Sequence, residues 1–271
     1  MEVRPPKLKG MGRVIAIASQ KGGVGKTTTA INLGACLAQE SRRVLIIDID
    51  PQGNASSGIG INGNDQRATT YEVLIGQAEI STAIQPTALA NLDLLPTGQR
   101  LSGAEVELVG MMARETRLKT CLVQVREEYD YVLIDSPPSL GLLTVNSLTA
   151  ADSVLIPLQC EYLALEGLTQ LIGAIRLVQD HLNPGLRIEG VLLTMYDARL
   201  NLSQQVVDEA RKFFAERVYK TMIPRNVKLS EAPSFGKPIV LYDPYSTGAE
   251  SYRELAREVL DHAEKGLGQR A

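Results

Sequence analysis

A glycine-rich loop between an apolar run and a helix-forming segment constrains this chain more than any other feature. The loop reads Gln20-Lys21-Gly22-Gly23-Val24-Gly25-Lys26-Thr27-Thr28. Residues 14–18 before it predict a strand, and residues 27–39 predict a helix that begins within it. Glycines let successive backbone N–H groups turn towards one anion, and the helix N-terminus adds its positive dipole end. The sequence therefore predicts a loop that binds a polyphosphate.

Two side chains of this loop have specific predicted roles. We expect Lys26 to reach the β- and γ-phosphates of a nucleotide and the Thr27 hydroxyl to bind Mg²⁺. The residues expected to contact the nucleotide are Lys21, Gly22, Gly23, Val24, Gly25, Lys26, Thr27 and Thr28. The loop differs from an ordinary Walker A motif because Gln20 replaces its first glycine and Lys21 adds a second lysine.

Composition and periodicity predict one large α/β domain. The chain has 271 residues, 44% hydrophobic and 22% charged, which is typical of a globular protein. Apolar runs alternate with helical patterns, which predicts a doubly wound, mostly parallel sheet flanked by helices. The predicted strands are 14–18, 44–49, 92–95, 131–135, 153–158, 188–195 and 218–223. The predicted helices include 27–39, 103–126, 164–180, 202–217 and 246–265.

The predicted domain organisation is a single P-loop domain over residues 13–265 between two short end segments. Residues 1–12, with Arg4, Lys7 and Lys9, predict a flexible basic extension, and residues 266–271 predict a tail. No apolar run approaches the roughly 18–20 residues that span a bilayer, and the N-terminus lacks an apolar signal core. We therefore expect a cytoplasmic protein without a membrane partner.

Cysteine and histidine are too sparse and too scattered for a metal cage or a disulfide framework. The three cysteines are Cys36, Cys121 and Cys160, with no CxxC pair, and the two histidines are His181 and His262.

Three aspartates end or follow two predicted strands. Asp48 and Asp50 end one apolar run, and alternation along the strand places them on the same side. Asp135 ends a second run and precedes Pro137-Pro138, a pattern typical of a Walker B strand followed by a switch loop. We expect Asp135 to hold Mg²⁺ through water and Asp48 to support the Mg²⁺ water shell. A hydrolase also needs a carboxylate that orients the attacking water.

The Lys-Gly-Gly-x-Gly-Lys-Thr-Thr sequence resembles the deviant Walker A motif of the ParA/MinD superfamily. Residues 193–199 and 223–237 are similar to those of Soj-type chromosomal ParA proteins, and the resemblance extends from about residue 14 to 259. It implies a homodimer in which Lys21 crosses to the nucleotide of the facing protomer. It also implies that Asp50 orients the water and that Lys21, Lys26 and Asp50 are the catalytic residues. By the same resemblance, the adenine contacts are Met195 and Pro224, which flank the ring, and Asn226, which hydrogen-bonds its edge.

The resemblance further implies binding to non-specific double-stranded DNA on the nucleoid and stimulation by a ParB/Spo0J-type activator. The segment 199–237 contains eight basic and four acidic residues, a local charge of +4 in a chain whose net charge is −3. The predicted DNA contacts are Arg199, Arg225, Lys228 and Lys237. The alternative is that Arg199 and Arg225 are solvated loop charges.

Several interpretations remain open at this point. Residues 156–167 would lie along the dimer interface by resemblance, or would simply connect a strand to a helix with Glu161 as its cap. The chain could also be a ParA-like positioner of another cargo, a MinD-like membrane-recruited division-site regulator, or a DNA-binding regulator without turnover. A MinD-like protein would need an amphipathic tail, which residues 257–271 lack. The nitrogenase iron protein is excluded because its cysteines hold a cluster at the dimer interface, whereas the three cysteines of this chain are far apart in sequence.

Overall fold

A seven-stranded sheet with helices on both faces forms the centre of the computed structural model, which describes residues 12–61, 68–161 and 164–268. The strands are β1 (Arg13–Ile17), β2 (Val44–Asp48), β3 (Gln85–Pro86), β4 (Leu92–Leu95), β5 (Tyr131–Asp135), β6 (Ser153–Gln159) and β7 (Arg187–Thr194). Their order is β3-β4-β2-β5-β1-β6-β7, and all neighbours are parallel except β3 and β4. The predicted fold class is confirmed.

The helices follow the strands in α/β alternation. They are α1 (Lys26–Gln39), α2 (Asn54–Gly58), α3 (Thr70–Ile75), α4 (Ile80–Ala83), α5 (Leu101–Val109), α6 (Arg117–Leu122), α7 (Leu142–Ala150), α8 (Ala164–His181), α9 (Asn201–Phe214), α10 (Val227–Glu231), α11 (Ile239–Tyr242) and α12 (Thr247–Gly268). Short 3₁₀ turns lie at Arg114–Thr116, Arg126–Glu128, Ala215–Arg217 and Ala232–Phe235.

Both faces of the sheet are buried, in two separate apolar cores. Successive residues of β1 alternate between them: Val14 and Ala16 belong to one core, and Ile15 and Ile17 belong to the other. A parallel sheet covered on both faces reads as a continuous apolar run, and β1, β2, β5 and β6 have that pattern. Because these strands are parallel, the polar residues at their carboxyl ends lie at the same edge of the sheet.

The strand register brings three functional segments to that edge. Ile17, the last residue of β1, is level with Asp135, the last residue of β5. Asp48, the last residue of β2, is level with Asp135 on its other side. The phosphate-binding loop after β1 and the aspartates of β2 and β5 therefore meet at the carboxyl ends of adjacent strands, where open α/β sheets bind ligands.

Six of the predicted strands are confirmed to within one residue at each end, but the strand predicted at 218–223 is wrong. Tyr219 N donates to Val191 O and Ile223 N donates to Leu193 O, so only the two ends of this segment pair with β7. Between them, the amides of Lys220 and Thr221 donate to the carboxylate of Glu258 in α12, at 2.8 and 3.1 Å. A side chain of α12 thus takes the hydrogen bonds that a regular ladder would need.

The single helix predicted at 103–126 is also wrong, because the structure divides it into α5, a 3₁₀ turn and α6. Gly110 ends α5, and Ala113 has a φ of 54°, a left-handed conformation that no helix can contain. The predicted helix at 202–217 ends at Phe214 and continues as the 3₁₀ turn. Helix α12 extends to Gly268, into the predicted tail. Of the predicted extension, residues 1–11 lie outside the described residues.

Candidate functional site

The loop between β1 and α1 has the backbone conformation that a phosphate site requires. Gly23 and Gly25 have φ values of 75° and 90°, in the left-handed region that favours glycine. A Cβ at Gly22 or Gly23 would meet nothing within 4 Å, so the mouth of the loop is open to a ligand. Helix α1 begins at Lys26, with its N-terminus directed into the loop.

Lys26 is buried beneath this loop and is already in a folded-back position. Its side chain donates from Nζ to the carbonyl oxygen of Lys21 at 3.1 Å. Burial lowers the pKa of Lys26, while the carboxylates of Asp135 and Asp50 favour its charged form. The ammonium group therefore lies between the loop backbone and the carboxylates, and its contact with the β- and γ-phosphates of a nucleotide stays a prediction.

Asp135 fits a magnesium site because its carboxylate is buried and neither oxygen accepts a well-formed hydrogen bond from the described residues. Its side chain is 0% exposed, and no hydrogen bond of good geometry reaches either oxygen from the described residues. Burial raises the pKa of Asp135 well above its usual range and Asp48 raises it further, whereas Thr27 and Lys26 lower it. A cation here would neutralise a charge that is otherwise costly to bury.

Asp48 has its oxygens occupied by the polypeptide itself. One oxygen accepts from Ser56 N at 2.8 Å and from Ser56 Oγ at 2.7 Å, and the other accepts from Asp50 N at 3.2 Å. Burial raises the pKa of Asp48 to about 6, although these hydrogen bonds lower it. Ser56 Oγ also accepts from Thr97 N at 3.0 Å, so Asp48 fixes the loop from Asp50 to Ser56 against the neighbouring strand end. Its predicted role in the Mg²⁺ water shell stays a prediction.

Asp50 lies in the loop beyond β2 and keeps one carboxylate oxygen without an intramolecular partner among the described residues. Its Oδ1 accepts from Gln52 N at 3.0 Å, and its carbonyl accepts from Gly53 N at 2.9 Å, which closes a tight turn. Gly53 has a φ of 65°, and this turn leads directly into α2. The Asp50 carboxylate is close enough to Lys26 to favour the charged form of its ammonium group.

The predicted adenine contacts lie beyond β7, beside the phosphate loop. Thr194 Oγ1 donates to Val24 O at 2.9 Å and ties β7 to the loop. An isolated bridge between Tyr196 and Pro224 brings Met195 and Pro224 into neighbouring segments. Met195 has a φ of 52°, a strained value for a side chain of this kind and one that is common at binding sites. The sequence analysis did not predict this role of Thr194, although its position at the end of an apolar strand could have indicated it.

Asn226 already forms hydrogen bonds with other residues of the chain. Its Oδ1 caps α10 by accepting from Lys228 N at 2.8 Å, and its Nδ2 donates to Thr247 Oγ1 at 2.7 Å. The capping role explains why asparagine occurs here. Hydrogen bonding to an adenine edge stays a prediction that only the second amide hydrogen could satisfy without rearrangement.

Lys21 lies at the outer side of the loop and is half-exposed. Its Nζ forms an ion pair with Glu161 Oε2 at 3.8 Å, just beyond β6. The strand-to-helix connection predicted around Glu161 therefore contacts the phosphate loop. Residues 162–163 of this connection lie outside the described residues.

The predicted DNA contacts are exposed, but three of the four are paired with carboxylates. Arg199 forms a two-pronged pair with Asp197, which holds the pKa of that carboxyl at about 2. Arg225 contacts Glu161 and Lys228 contacts Glu231. Lys237 forms no ion pair within the described ranges. Local carboxylates thus offset part of the positive charge counted from the sequence.

The cysteines are not paired with one another, and the described residues contain neither a metal-ligand cluster nor a membrane-spanning helix. Cys36, Cys121 and Cys160 are free thiols. The described part of the chain holds no group of three or more His, Cys, Asp or Glu residues suited to a metal ion. Across the same residues, no helix is both long and apolar enough to cross a bilayer.

A glycine-rich loop with two lysines, at the carboxyl edge of a parallel sheet beside three buried aspartates, defines a P-loop protein of the deviant Walker A class. A family model described as an AAA domain matches residues 12–188. The sporulation initiation inhibitor protein Soj of Bacillus subtilis is 61% identical over 249 residues, which cover 92% of this chain and 98% of Soj. The chromosome partitioning protein ParA of Myxococcus xanthus is 57% identical over 250 residues, covering 92% and 88%.

Solved structures agree with this assignment. A cobyrinic acid a,c-diamide synthase from Mycobacterium smegmatis, solved with an ATP analogue and magnesium, has a TM-score of 0.83 and 40% identity. The match covers 94% of this chain and 97% of the synthase. Identity to the partitioning proteins is higher and extends over almost the same share of the chain. This chain belongs to the ParA/Soj family of partitioning ATPases, which confirms the resemblance found in the sequence.

Proposed function

We propose that this protein is a Mg²⁺-dependent ATPase that works as a DNA-partitioning switch. In this proposal it dimerises around two ATP molecules, binds DNA without sequence preference on the nucleoid, and hydrolyses ATP when a ParB/Spo0J-type activator engages it. The observation that carries the proposal is Lys21. A loop that already contains a buried lysine, Lys26, has a second lysine at its outer side, where it could reach beyond its own protomer.

The site supports phosphoryl transfer mainly through positioning and charge, which is what this chemistry requires. The loop amides and Lys26 would bind the β- and γ-phosphates, and Thr27 and Asp135 would hold Mg²⁺. Mg²⁺, when bound, neutralises charge on the phosphate oxygens. Asp50 would orient the attacking water from the loop that Asp48 and Ser56 fix in place.

A dimer would link nucleotide state to DNA affinity. Lys21 supplied from each protomer to the other's nucleotide makes an isologous two-fold assembly the natural arrangement. One small basic surface binds DNA weakly at physiological salt, whereas two linked surfaces bind multivalently. The surface would comprise Arg199, Arg225, Lys228 and Lys237, and hydrolysis would separate the two copies and release the DNA.

The test of this proposal is the variant Lys21→Ala. Sedimentation with Mg²⁺ and a non-hydrolysable ATP analogue should show a dimer for the wild type and a monomer for the variant. Nucleotide binding should remain, because Lys26 and the loop backbone are intact. Lys119→Ala, which removes an exposed lysine of α6, is the matched control and should dimerise normally. A Lys21→Ala protein that dimerises like the wild type would contradict the proposed role of Lys21.

A further inference from the structure

The Lys21 side chain has a partner within its own protomer. Its ammonium group lies 3.8 Å from Glu161 Oε2, and both side chains are partly exposed. A lysine that must reach a facing protomer cannot keep this contact. The ion pair therefore competes with any position of Lys21 outside its own chain.

Glu161 is itself held in place by two further groups. Gln159 Nε2 donates to Glu161 Oε1 at 2.6 Å, and Arg225 contacts the same oxygen at 3.3 Å. The Glu161 amide also donates to the carbonyl of Gln159 at 2.8 Å. Oε1 is thus occupied, and Oε2 is the oxygen that faces Lys21.

The main chain at Lys21 is fixed, so only its side chain is able to change partner at small cost. The carbonyl of Lys21 accepts from Lys26 Nζ at 3.1 Å. The preceding side chain, Gln20, donates through Nε2 to Gln170 Oε1 of α8. In the nucleotide-free chain these contacts hold the start of the loop, so a change of partner by Lys21 requires rotation of its four-carbon side chain.

We infer that Glu161 is a positioning residue that retains Lys21 in the nucleotide-free monomer and so opposes dimerisation until nucleotide is bound. This inference rests on the proposed role of Lys21 in the dimer. An exposed ion pair contributes little on its own, but a symmetric dimer must break two of them. From the typical strength of exposed pairs, the two together raise the dimer dissociation constant by about 2- to 30-fold.

The first measurement compares dimerisation of the wild type, Glu161→Gln and Glu231→Gln in Mg²⁺ and a non-hydrolysable ATP analogue. Glu231→Gln is the matched control, because it removes a carboxylate that pairs with Lys228 rather than Lys21. Glu161→Gln should lower the dimer dissociation constant by about 2- to 30-fold, and this gain should shrink in high salt because screening weakens ion pairs. An unchanged or weaker dimer would overturn the inference.

The second measurement uses the nucleotide-free monomer and an amine-reactive acetylating reagent, with modification of each lysine followed by mass spectrometry. Glu161→Gln should raise the modification rate of Lys21 by about 1.5- to 5-fold and leave Lys228 unchanged. Glu231→Gln should do the reverse. A Lys21 rate that does not respond, while Lys228 does, would overturn the inference. A wild type that never dimerises would instead contradict the proposed function.

Discussion

At the scale of single residues, three aspartates of one site differ because their surroundings differ. Both oxygens of Asp48 accept hydrogen bonds from Ser56 or Asp50, Asp135 has no well-formed hydrogen bond from the described residues, and Asp50 keeps one oxygen available. The same side-chain chemistry therefore suits a structural support, a metal site and a water-orienting group. Strand-end position, which the sequence shows, predicts the set but not the division of roles.

Removing Asp50 tests that division. Asp50→Ala should lower the rate of phosphate release by about 10²-fold or more while nucleotide binding persists, because water positioning is lost and the phosphate loop is not. The ATP-bound dimer should accumulate on DNA. Asp208→Ala, on the exposed face of α9, should hydrolyse ATP normally. Near-normal turnover by Asp50→Ala would show that another group orients the water, and Asp48 would be the first candidate.

Motif residues of the site were predictable from the sequence, whereas contacts between distant segments were not. Lys26, Thr27 and Asp135 belong to local patterns whose geometry is set by a strand, a turn and a helix. The pairing of Lys21 with Glu161, and of Thr194 with Val24, depends on how β6 and β7 are placed beside β1. No local periodicity contains that information.

At the scale of elements, the two wrong predictions have different causes: a left-handed residue interrupts one predicted helix, and a distant side chain replaces the pairing of one predicted strand. Ala113 in a left-handed conformation divides α5 from α6, and the Glu258 carboxylate replaces strand pairing at residues 220 and 221. Neither residue type signals such a role by itself. The buried strands were predictable because their apolar runs are long and bounded.

Two helical glycines, Gly34 in α1 and Gly173 in α8, differ in the space available for a side chain. A Cβ at Gly34 would lie 2.9 Å from Ile46 Cδ1, whereas a Cβ at Gly173 in α8 would meet nothing within 4 Å. Gly173→Ala should raise the free energy of unfolding by about 0.5–1 kcal/mol through helix propensity. Gly34→Ala should instead lower the free energy of unfolding by ~1–3 kcal/mol, because overpacking against Ile46 outweighs the gain in helix propensity. Urea denaturation followed by circular dichroism measures both, and equal stabilities would contradict this account of the α1–β2 contact.

At the scale of the whole molecule, the proposed DNA surface combines exposed cations with nearby carboxylates. Arg199 and Arg225 are exposed in loops beyond strand ends and form ion pairs with Asp197 and Glu161. Phosphates would have to replace these carboxylates. We therefore expect DNA binding to be strongly salt-dependent and indifferent to sequence.

Charge reversal at either arginine measures this surface. In the ATP-analogue dimer, Arg199→Glu or Arg225→Glu should reduce the slope of log affinity against log salt by roughly 0.9 for each phosphate that the surface no longer binds, and each dimer has two copies. Lys119→Glu changes the net charge equally, away from the 199–237 segment, and should keep the wild-type slope. If both arginine variants keep that slope and still bind DNA, the DNA surface lies elsewhere, with Arg4, Lys7 and Lys9 the next candidates.

Helix α12 forms hydrogen bonds with three separate segments of the chain. Tyr252 meets Thr29 of α1, Thr247 meets Asn226, and Glu258 takes the amides of residues 220 and 221. A chain shortened to end before Glu258 would lose the carboxylate that accepts hydrogen bonds from the amides of residues 220 and 221. If a cell producing that shortened chain failed in partitioning, the cause would be a displaced loop and not the loss of a catalytic group.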